Sequence, residues 1–586
     1  MLHSQMTKSY RMFAARTSVF TGERVVRVLS LAISAIALAP LLAVVYLALG
    51  SSSEVWPHIS KYVLPEATIT TLLLMLGVAT LTAVVGVVCA WLVAMCRFPG
   101  RRLMDVALLL PFAVPTYIIA FSYVELMDYT GPVQTLLRDV FGFHTSRDYW
   151  FPEIRSLGGA VFVMGFVLYP YVYLAARASF LIQSACTLDV SRTLGAGPLR
   201  LFYSVALPLA RPAIVVGLTL ALLECLNDIG AVTFFGVKTL TFAVYDTWLN
   251  RSSLAGAAQI AVVMLALVLG LMWLESFARR KQRFHQSTGT YRSLQAYQLT
   301  GVSALAALAA CALPVLLGFI LPAGMLLSRS LRRLDQLADP ALWQAAVNSL
   351  WLAIIACSFA VAMGLMLTYN RRLLPSRANQ WIGRIASIGY AIPGTILAVG
   401  ILLPVAGLDN MIASFSTHYF GFSTGLLLLG SGTALIYAYC VRFLAVAYGQ
   451  LDGGFGKITP HYDMAARTLG HGPMQTLGKV HVPLLRPVLL SAILVAFVEC
   501  MKELPATLLL RPFNFETLST TVYNHASMEA FEDAALPSLV IVAVGIVPVI
   551  MLARTSSASF RNKVRYHTAA ASKTTLGSHT EAARQT

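Results

Sequence analysis

Charged residues are scarce in this chain, and acidic ones are the scarcer kind. Only 12% of its 586 residues are charged, with 26 acidic against 43 basic side chains, whereas 57% are hydrophobic. Soluble domains carry about 25% charged residues, so the composition excludes a soluble protein of this length. Apolar runs of roughly 20 residues recur instead, and each is long enough to cross the hydrocarbon core of a bilayer as a helix.

The apolar runs also lack the alternation of apolar and polar residues that marks a membrane β-strand. Backbone polar groups must be paired inside lipid, so a membrane-spanning segment is either a helix or part of a closed barrel. Continuous runs select the helix. The sequence therefore predicts an all-α polytopic membrane protein.

Several motifs of catalysis and cofactor binding are missing. The chain has no G-x4-G-K-[ST] phosphate loop, and the nearest approach, Gly472 to Gly478-Lys479, has five intervening residues and is followed by Val480. It has no H-E-x-x-H or G-x-S-x-G motif and no CxxC pair among its eight cysteines. We therefore expect no enzyme activity, no cofactor in this chain, no assigned metal ligand and no disulfide.

The net charge of +17 is distributed against a nucleic-acid interface. The basic residues lie in short segments between apolar runs, as the positive-inside rule requires of cytoplasmic loops. With both termini in the cytoplasm, most basic segments lie on the cytoplasmic side. One outer loop, which holds Arg329, Arg332 and Arg333, departs from this pattern. We expect twelve membrane helices, near residues 28–49, 67–95, 104–125, 158–180, 211–231, 256–277, 300–327, 346–368, 383–405, 425–447, 488–510 and 537–554.

The two halves of the chain repeat each other. Phe112-Ala113-Val114-Pro115 matches Tyr390-Ala391-Ile392-Pro393 at an offset of 278, and six helices per copy give both copies one orientation. The sequence predicts two parallel six-helix bundles. Their expected bounds are 1–27 for a cytoplasmic N-terminus, 28–277 for the first half (core about 66–277), 278–299 for a cytoplasmic linker, 300–554 for the second half (core about 345–554) and 555–586 for a disordered tail.

A second repeat lies between helices four and five of each half. We call residues 189–208 the first hairpin and residues 464–483 the second hairpin. In each hairpin the proline lies thirteen positions after the glycine. The pattern predicts a short amphipathic helix, a glycine turn and a second short helix in each. Ordinary interhelical loops are the alternative. The candidate residues are Asp189, Ser191, Gly195, Leu207, Pro208, Met464, Ala465, Ala466, Gly470, Val482 and Pro483.

Four carboxylates fall inside apolar runs, where charge is costly and usually functional. Glu224 and Asp228 stand one helical turn apart in the fifth predicted helix, and Glu499 and Glu503 repeat this in the eleventh, with Lys502 beside them. One hypothesis is a translocation path that attracts a hard cation through oxygen ligands. The other is a structural role, in which the carboxylates cap loops or pair across helices.

The two hairpins resemble the EAA loops of binding-protein-dependent ABC importer permeases, whose pattern is E-A-A-x3-G-x9-I-x-L-P. The resemblance implies a type I importer permease fold and a separate cytoplasmic ATPase dimer that binds ATP and Mg and receives the hairpins in a groove. The pattern's glutamate is Asp189 in one copy and Met464 in the other. Asp463, which precedes Met464, is a candidate substitute.

Two further segments, Lys502 to Phe515 and Asp228 to Ala231, resemble the ferric-iron permeases of this group, which are also fused double permeases. The resemblance implies ferric iron as cargo, a periplasmic substrate-binding protein as partner, a bacterial inner membrane location and transport by alternating access. Related permeases carry thiamine, phosphonate, sulfate or polyamines, so these cargoes are alternatives. A secondary transporter driven by an ion gradient is the alternative from another class.

Overall fold

The computed structural model describes residues 2–50, 56–182, 197–279 and 296–551, which are almost entirely helical. Eleven helices in these residues are long and apolar enough to cross a membrane, and one bent pair makes a twelfth. This confirms the all-α polytopic fold. In chain order they are α1 Gly22–Ala48, α2 Trp56–Met95, α3 Arg101–Ala113 with Thr116–Phe141, α4 Leu157–Leu181, α5 Pro198–Asn227, α6 Leu254–Ala278, α7 Gly301–Ser330, α8 Pro340–Leu373, α9 Gly394–Phe420, α10 Thr433–Phe455, α11 Pro473–Lys502 and α12 Phe531–Met551.

The third and ninth predicted helices, 104–125 and 383–405, are each broken at a proline, so their prediction as continuous helices was wrong. The two parts of α3 are bent by 91°. At this break Val114 is extended (φ −103°, ψ 126°) and so is Pro115 (φ −58°, ψ 140°), because the ring of a proline disfavours helical backbone at the residue before it. Pro393, with φ −53° and ψ 142°, precedes α9 in the same way, after the short helix Arg377–Ala386.

Four other prolines of the described residues lie in helices that continue, and a π-helical turn precedes each of these four. A proline within a helix lacks an N–H donor, and its ring clashes with the carbonyl four residues earlier. A wider π turn relieves this contact. Each π turn in the described residues ends two positions before a proline: Ile59–Val63 before Pro65, Phe202–Ala206 before Pro208, Leu316–Ile320 before Pro322 and Leu477–His481 before Pro483.

The fifth and eleventh predicted helices have the wrong bounds for this reason. They were expected at 211–231 and 488–510. The π turns let α5 and α11 start at Pro198 and Pro473, and the helices end at Asn227 and Lys502. A short helix then follows each break, Ile229–Phe234 after α5 and Pro505–Leu510 after α11.

The chain forms two compact units that cut across the sequence halves. Unit 1 holds Met1–Thr68, Lys238–Val268 and Leu334–Pro537, and unit 2 holds Ile69–Val237, Leu269–Arg333 and Ser538–Thr586. These units follow packing, whereas the predicted halves follow the sequence repeat, so the predicted domain bounds stay a prediction.

Within unit 1, α1 packs against α8, α9 and the helix Arg377–Ala386. The first membrane helix of the chain thus joins the core built from the second sequence half. The contact with α9 is close at Gly400, where an added Cβ would lie 2.1 Å from the carbonyl oxygen of Pro40.

Within unit 2, α4 packs against α5 and against the second part of α3. A two-residue parallel strand pair, Cys96–Arg97 with Tyr297–Gln298, joins the end of α2 to the approach to α7. Arg329, from the basic cluster that departs from the positive-inside pattern, pairs with Glu125 at 2.7 Å. A local carboxylate therefore neutralises one charge of that cluster.

We expect Gly400→Val to lower the Tm of the purified protein, because a side chain at this position must push α1 away from α9. Overpacking of this kind costs about 1–3 kcal/mol. Gly407→Val is the matched control on the same helix, since an added Cβ there has no neighbour within 4 Å. Equal Tm values for the two variants in detergent would contradict the close packing of α1 on α9.

Candidate functional site

The second hairpin has the predicted helix and glycine turn. Its first helix is His461–Thr468, which begins three residues before the sequence pattern does. Gly470 has φ 79° and open space around it. The N–H groups of Gly470 and His471 donate to the carbonyls of Arg467 and Ala466, both at 3.0 Å. This is a Schellman motif, which ends a helix with a left-handed glycine and explains the glycine at this position.

The second short helix of this hairpin differs from the prediction. Pro473–Thr476 does not end before the membrane, but continues through the π turn Leu477–His481 into the rest of α11. Val482 and Pro483 therefore lie inside α11. The second short helix of the hairpin and the membrane helix are thus one continuous helix, so a displacement of this short helix is also a displacement of α11.

The first hairpin is described only in its second part. Asp189, Ser191 and Gly195 lie outside the described residues. Leu207 and Pro208 lie in α5, directly after the π turn Phe202–Ala206 and the short helix Pro198–Leu201. The same order of elements precedes Pro483 at an offset of 275, so the repeat extends from sequence to local structure.

The first helix of the second hairpin exposes apolar side chains. Met464 is 52% exposed and Leu469 is 77% exposed, whereas Ala466 is buried and Ala465 is exposed. Tyr462 and, on the next helix, Met474 are exposed as well. Tyr462, Leu469 and Met474 were not predicted as site residues. The sequence did contain a signal for them. They are large apolar residues on or beside short helices, whereas the buried position of the first short helix is occupied by the small residue Ala466.

Asp463 takes an ion pair within the chain. Its Oδ2 lies 2.6 Å from Nη2 of Arg372, and its Oδ1 lies 2.7 Å from Nε2 of His481. Burial alone would raise the pKa of Asp463, but the hydrogen bonds from Arg372 and His481 outweigh it and hold the pKa below its usual value. The carboxylate next to Met464 is thus ionised and committed to partners in α8 and α11.

In unit 1, the break after α11 contains a buried ion pair. Glu503 lies 2.7 Å from Nη1 of Arg442, and the two side chains are 1% and 6% exposed. Glu503 also accepts from the backbone N–H of Ala506, at 3.2 Å to Oε2. Glu499 pairs with Lys502 at 3.0 Å, inside α11. Because the helix ends at Lys502, the predicted placement of Glu503 within the eleventh helix was wrong.

In unit 2, the break after α5 is capped by Asp228. Its Oδ1 accepts from the backbone N–H of Ala231 at 2.8 Å, so Asp228 is the N-cap of the short helix Ile229–Phe234. The Thr116 side chain also hydrogen-bonds this carboxylate. Glu224 lies one turn back in α5, whereas Asp228 follows the last residue of that helix, so the predicted placement of Asp228 within the fifth helix was wrong.

The two breaks satisfy their carboxylates differently. The residue that corresponds to Thr116 in the second half is Gly394, where an added Cβ would lie 2.6 Å from both Arg442 Nη1 and Glu503 Oε1. Glycine therefore makes room for the guanidinium. Arg442 was not predicted as a site residue, although an arginine inside the apolar run of α10 is itself a signal.

Capping and pairing account for the geometry of Asp228, Glu499 and Glu503, which favours the structural hypothesis for these three. The role of the four carboxylates in a translocation path stays a prediction. In the part of the chain that the structure describes, no three His, Cys, Asp or Glu side chains are grouped so as to hold a metal ion.

Comparison with known proteins gives consistent matches. Residues 83–284 match the family model described as a binding-protein-dependent transport system inner membrane component. An Fe(3+)-transport system permease protein of Haemophilus influenzae is 25% identical over 491 residues, which cover 82% of this chain and 88% of the relative. A molybdenum transport system permease protein of Escherichia coli is 29% identical over 204 residues, 34% of this chain and 86% of the relative. A putative 2-aminoethylphosphonate transport system permease protein of Salmonella typhimurium is 25% identical over 236 residues, 40% of this chain and 81% of the relative.

The family match and the similarity to transport system permeases identify the chain as a transport permease rather than an enzyme. The matches specify the class further: the chain is the permease of an ABC importer, and it is similar over most of its length to a fused double-domain permease. Permeases of this family work with an ATPase and a substrate-binding protein.

Glu503→Gln should destabilise unit 1 strongly, because it leaves the buried guanidinium of Arg442 without a counter-charge. Removal of one partner from a buried pair costs about 3–5 kcal/mol. The measurement is the unfolding midpoint in detergent, and the double variant Arg442→Met with Glu503→Gln should recover most of the loss. Glu66→Gln is the control, since Glu66 and Lys238 form an exposed pair at 3.7 Å. An equal effect of Glu66→Gln would refute the stabilising role of burial.

Proposed function

We propose that this permease translocates ferric iron across a bacterial inner membrane. The observation that carries the proposal is the extent of one similarity: the Haemophilus influenzae relative named for Fe(3+) transport matches 82% of this chain and thus both halves. The relatives named for molybdenum and 2-aminoethylphosphonate transport match 34% and 40% of it. A fused double permease for iron therefore resembles this chain over most of its length.

The partner that drives transport is a separate ATPase dimer, which docks on the two hairpins and binds ATP and Mg. The chain itself carries no cofactor in this proposal. Two observations support docking on the second hairpin: the exposed apolar side chains of Tyr462, Met464 and Leu469, and the unbroken helix from Pro473 into α11. Apolar side chains exposed together on a short helix are typical of a protein interface.

A periplasmic binding protein delivers the cargo, and both termini lie in the cytoplasm. This orientation is supported by the basic segments on one side of the predicted helices. Alternating access follows: ATP binding closes the ATPase dimer and displaces the hairpins, and hydrolysis resets them. The hairpins would have no such function in a secondary transporter driven by an ion gradient.

The cargo is tested by deletion of the permease gene and by uptake assays with ferric iron, molybdate, 2-aminoethylphosphonate and thiamine. We expect loss of high-affinity ferric uptake alone, restored by the wild-type chain. Retained iron uptake together with loss of one of the other three would refute iron and name the cargo. A P-loop ATPase should co-purify with the tagged chain, and its absence would favour the secondary transporter.

Gly470→Val should uncouple transport while the chain still inserts into the membrane. Valine is strained at φ 79°, so the turn that sets the angle between the two hairpin helices must change. We expect transport to fall by about tenfold or more, the effect of roughly 1.4 kcal/mol. Gly472→Val is the matched control, since Gly472 has φ −71° and open space. Normal transport by Gly470→Val in proteoliposomes would argue against the hairpin as the drive point.

A further inference from the structure

The last turn of α8 contacts both short helices of the second hairpin. Arg372 donates to Asp463 from Nε at 2.9 Å and from Nη2 at 2.6 Å. The hydroxyl of Tyr369 donates to the carbonyl of Pro473 at 2.6 Å, and this bond is buried. Two side chains, three positions apart on α8, therefore hold the hairpin before and after its glycine turn.

Arg372 also fixes the segment that leads into the hairpin. Its Nη1 donates to the carbonyls of Phe455 and Ile458 at 2.9 and 3.0 Å, and its Nη2 donates to the carbonyl of Thr459 at 3.1 Å. A guanidinium offers five N–H donors in a rigid fork, and here they are spread over α10, the lead-in segment and the hairpin. A lysine at this position has the charge but not the fork.

The contact continues into α11 through His481. The imidazole is fully buried, lies 2.7 Å from Asp463, and has Tyr369 and Phe455 as ring neighbours at 5.6 and 5.3 Å. His481 is the last residue of the π turn in α11. Asp463 therefore bridges α8 and α11 with one carboxylate.

We propose that Asp463, Arg372, Tyr369 and His481 form a hairpin clamp, which makes the second hairpin, α8 and α11 move as one body. Force applied to the hairpin then reaches α8 as well as the membrane helix that follows it in sequence. Asp463 is a positioning residue here: it sets the hairpin against the bundle and does not itself face the docking partner. The inference rests on the proposed function, in which an ATPase drives the hairpin.

A neighbouring ion pair offers a matched control. Arg371 donates from Nη1 to both carboxylate oxygens of Asp452, at 2.7 and 2.8 Å. This pair also links α8 to α10, one residue before Arg372, but it is half exposed, and its hydrogen bonds run between Arg371 and Asp452. Loss of the Asp452 charge removes a pair between α8 and α10 without loosening the hairpin.

The functional test uses the full chain with its ATPase and binding protein in proteoliposomes, and measures ATP hydrolysed per radioactive ferric ion transported. We expect Asp463→Asn to raise this ratio by about tenfold and Tyr369→Phe by about twofold, within the range by which residues on a coupling network act. ATPase association should stay within about twofold of wild type, because the exposed face is intact. Asp463→Glu should restore most of the coupling, and Asp452→Asn should leave the ratio unchanged.

A second measurement needs neither ATPase nor cargo. In the isolated chain, Asp463→Asn should speed amide hydrogen exchange in residues 461–476 and 366–373 together, whereas Asp452→Asn should leave 461–476 protected. Faster exchange in 461–476 alone, or an unchanged coupling ratio in Asp463→Asn, would overturn the clamp. Loss of ATPase binding in that variant would also overturn it, because Asp463 would then belong to the docking face. If no ATPase binds the wild-type chain, the proposed function fails. The exchange result alone then decides whether the second hairpin, α8 and α11 form one body.

Discussion

An unpaired peptide group inside hydrocarbon costs several kcal/mol, and this constraint shapes the described helices more than any side-chain contact does. The chain carries 26 prolines, each of which removes a donor. At four of them, among them Pro208 and Pro483, a π turn precedes the proline and the helix continues. Where a helix must stop, the backbone becomes extended, as at Pro115 and Pro393. A π turn thus keeps a segment as one continuous helix, whereas an extended proline separates two helices.

The breaks after α5 and α11 show how the two copies of the repeat differ in side chains while they keep the same backbone geometry. Both place a carboxylate at the break and both use it to accept a backbone N–H three residues later. At the first break the hydroxyl of Thr116 hydrogen-bonds the carboxylate of Asp228. At the second break the guanidinium of Arg442 lies beside Gly394 and pairs with Glu503. The ion pair at Glu503 and the hydroxyl hydrogen bond at Asp228 each satisfy a carboxylate beside a helix break, and they differ in how much stability depends on a single partner.

The second hairpin joins these features to transport. Its second short helix runs into α11 without a break. The hairpin exposes the apolar side chains of Tyr462, Met464 and Leu469, and contacts through Asp463 and Tyr369 hold its other side. Both properties fit the proposed function, in which one face binds an ATPase and the other passes its motion to the membrane helices.

Hydropathy and the internal repeat were sufficient to predict the helical class, the approximate places of the membrane-crossing helices and the turn at Gly470, because lipid solvation and left-handed backbone are local properties of the chain. They could not predict the breaks beside Asp228 and Glu503, since a capping carboxylate and a helical one look alike in sequence. Arg442 and Glu503 are 61 residues apart, Arg372 and Asp463 are 91 apart, and α1 packs on α8 and α9. Only the tertiary structure decided these pairs, because burial creates the low-dielectric surroundings in which one particular partner becomes necessary.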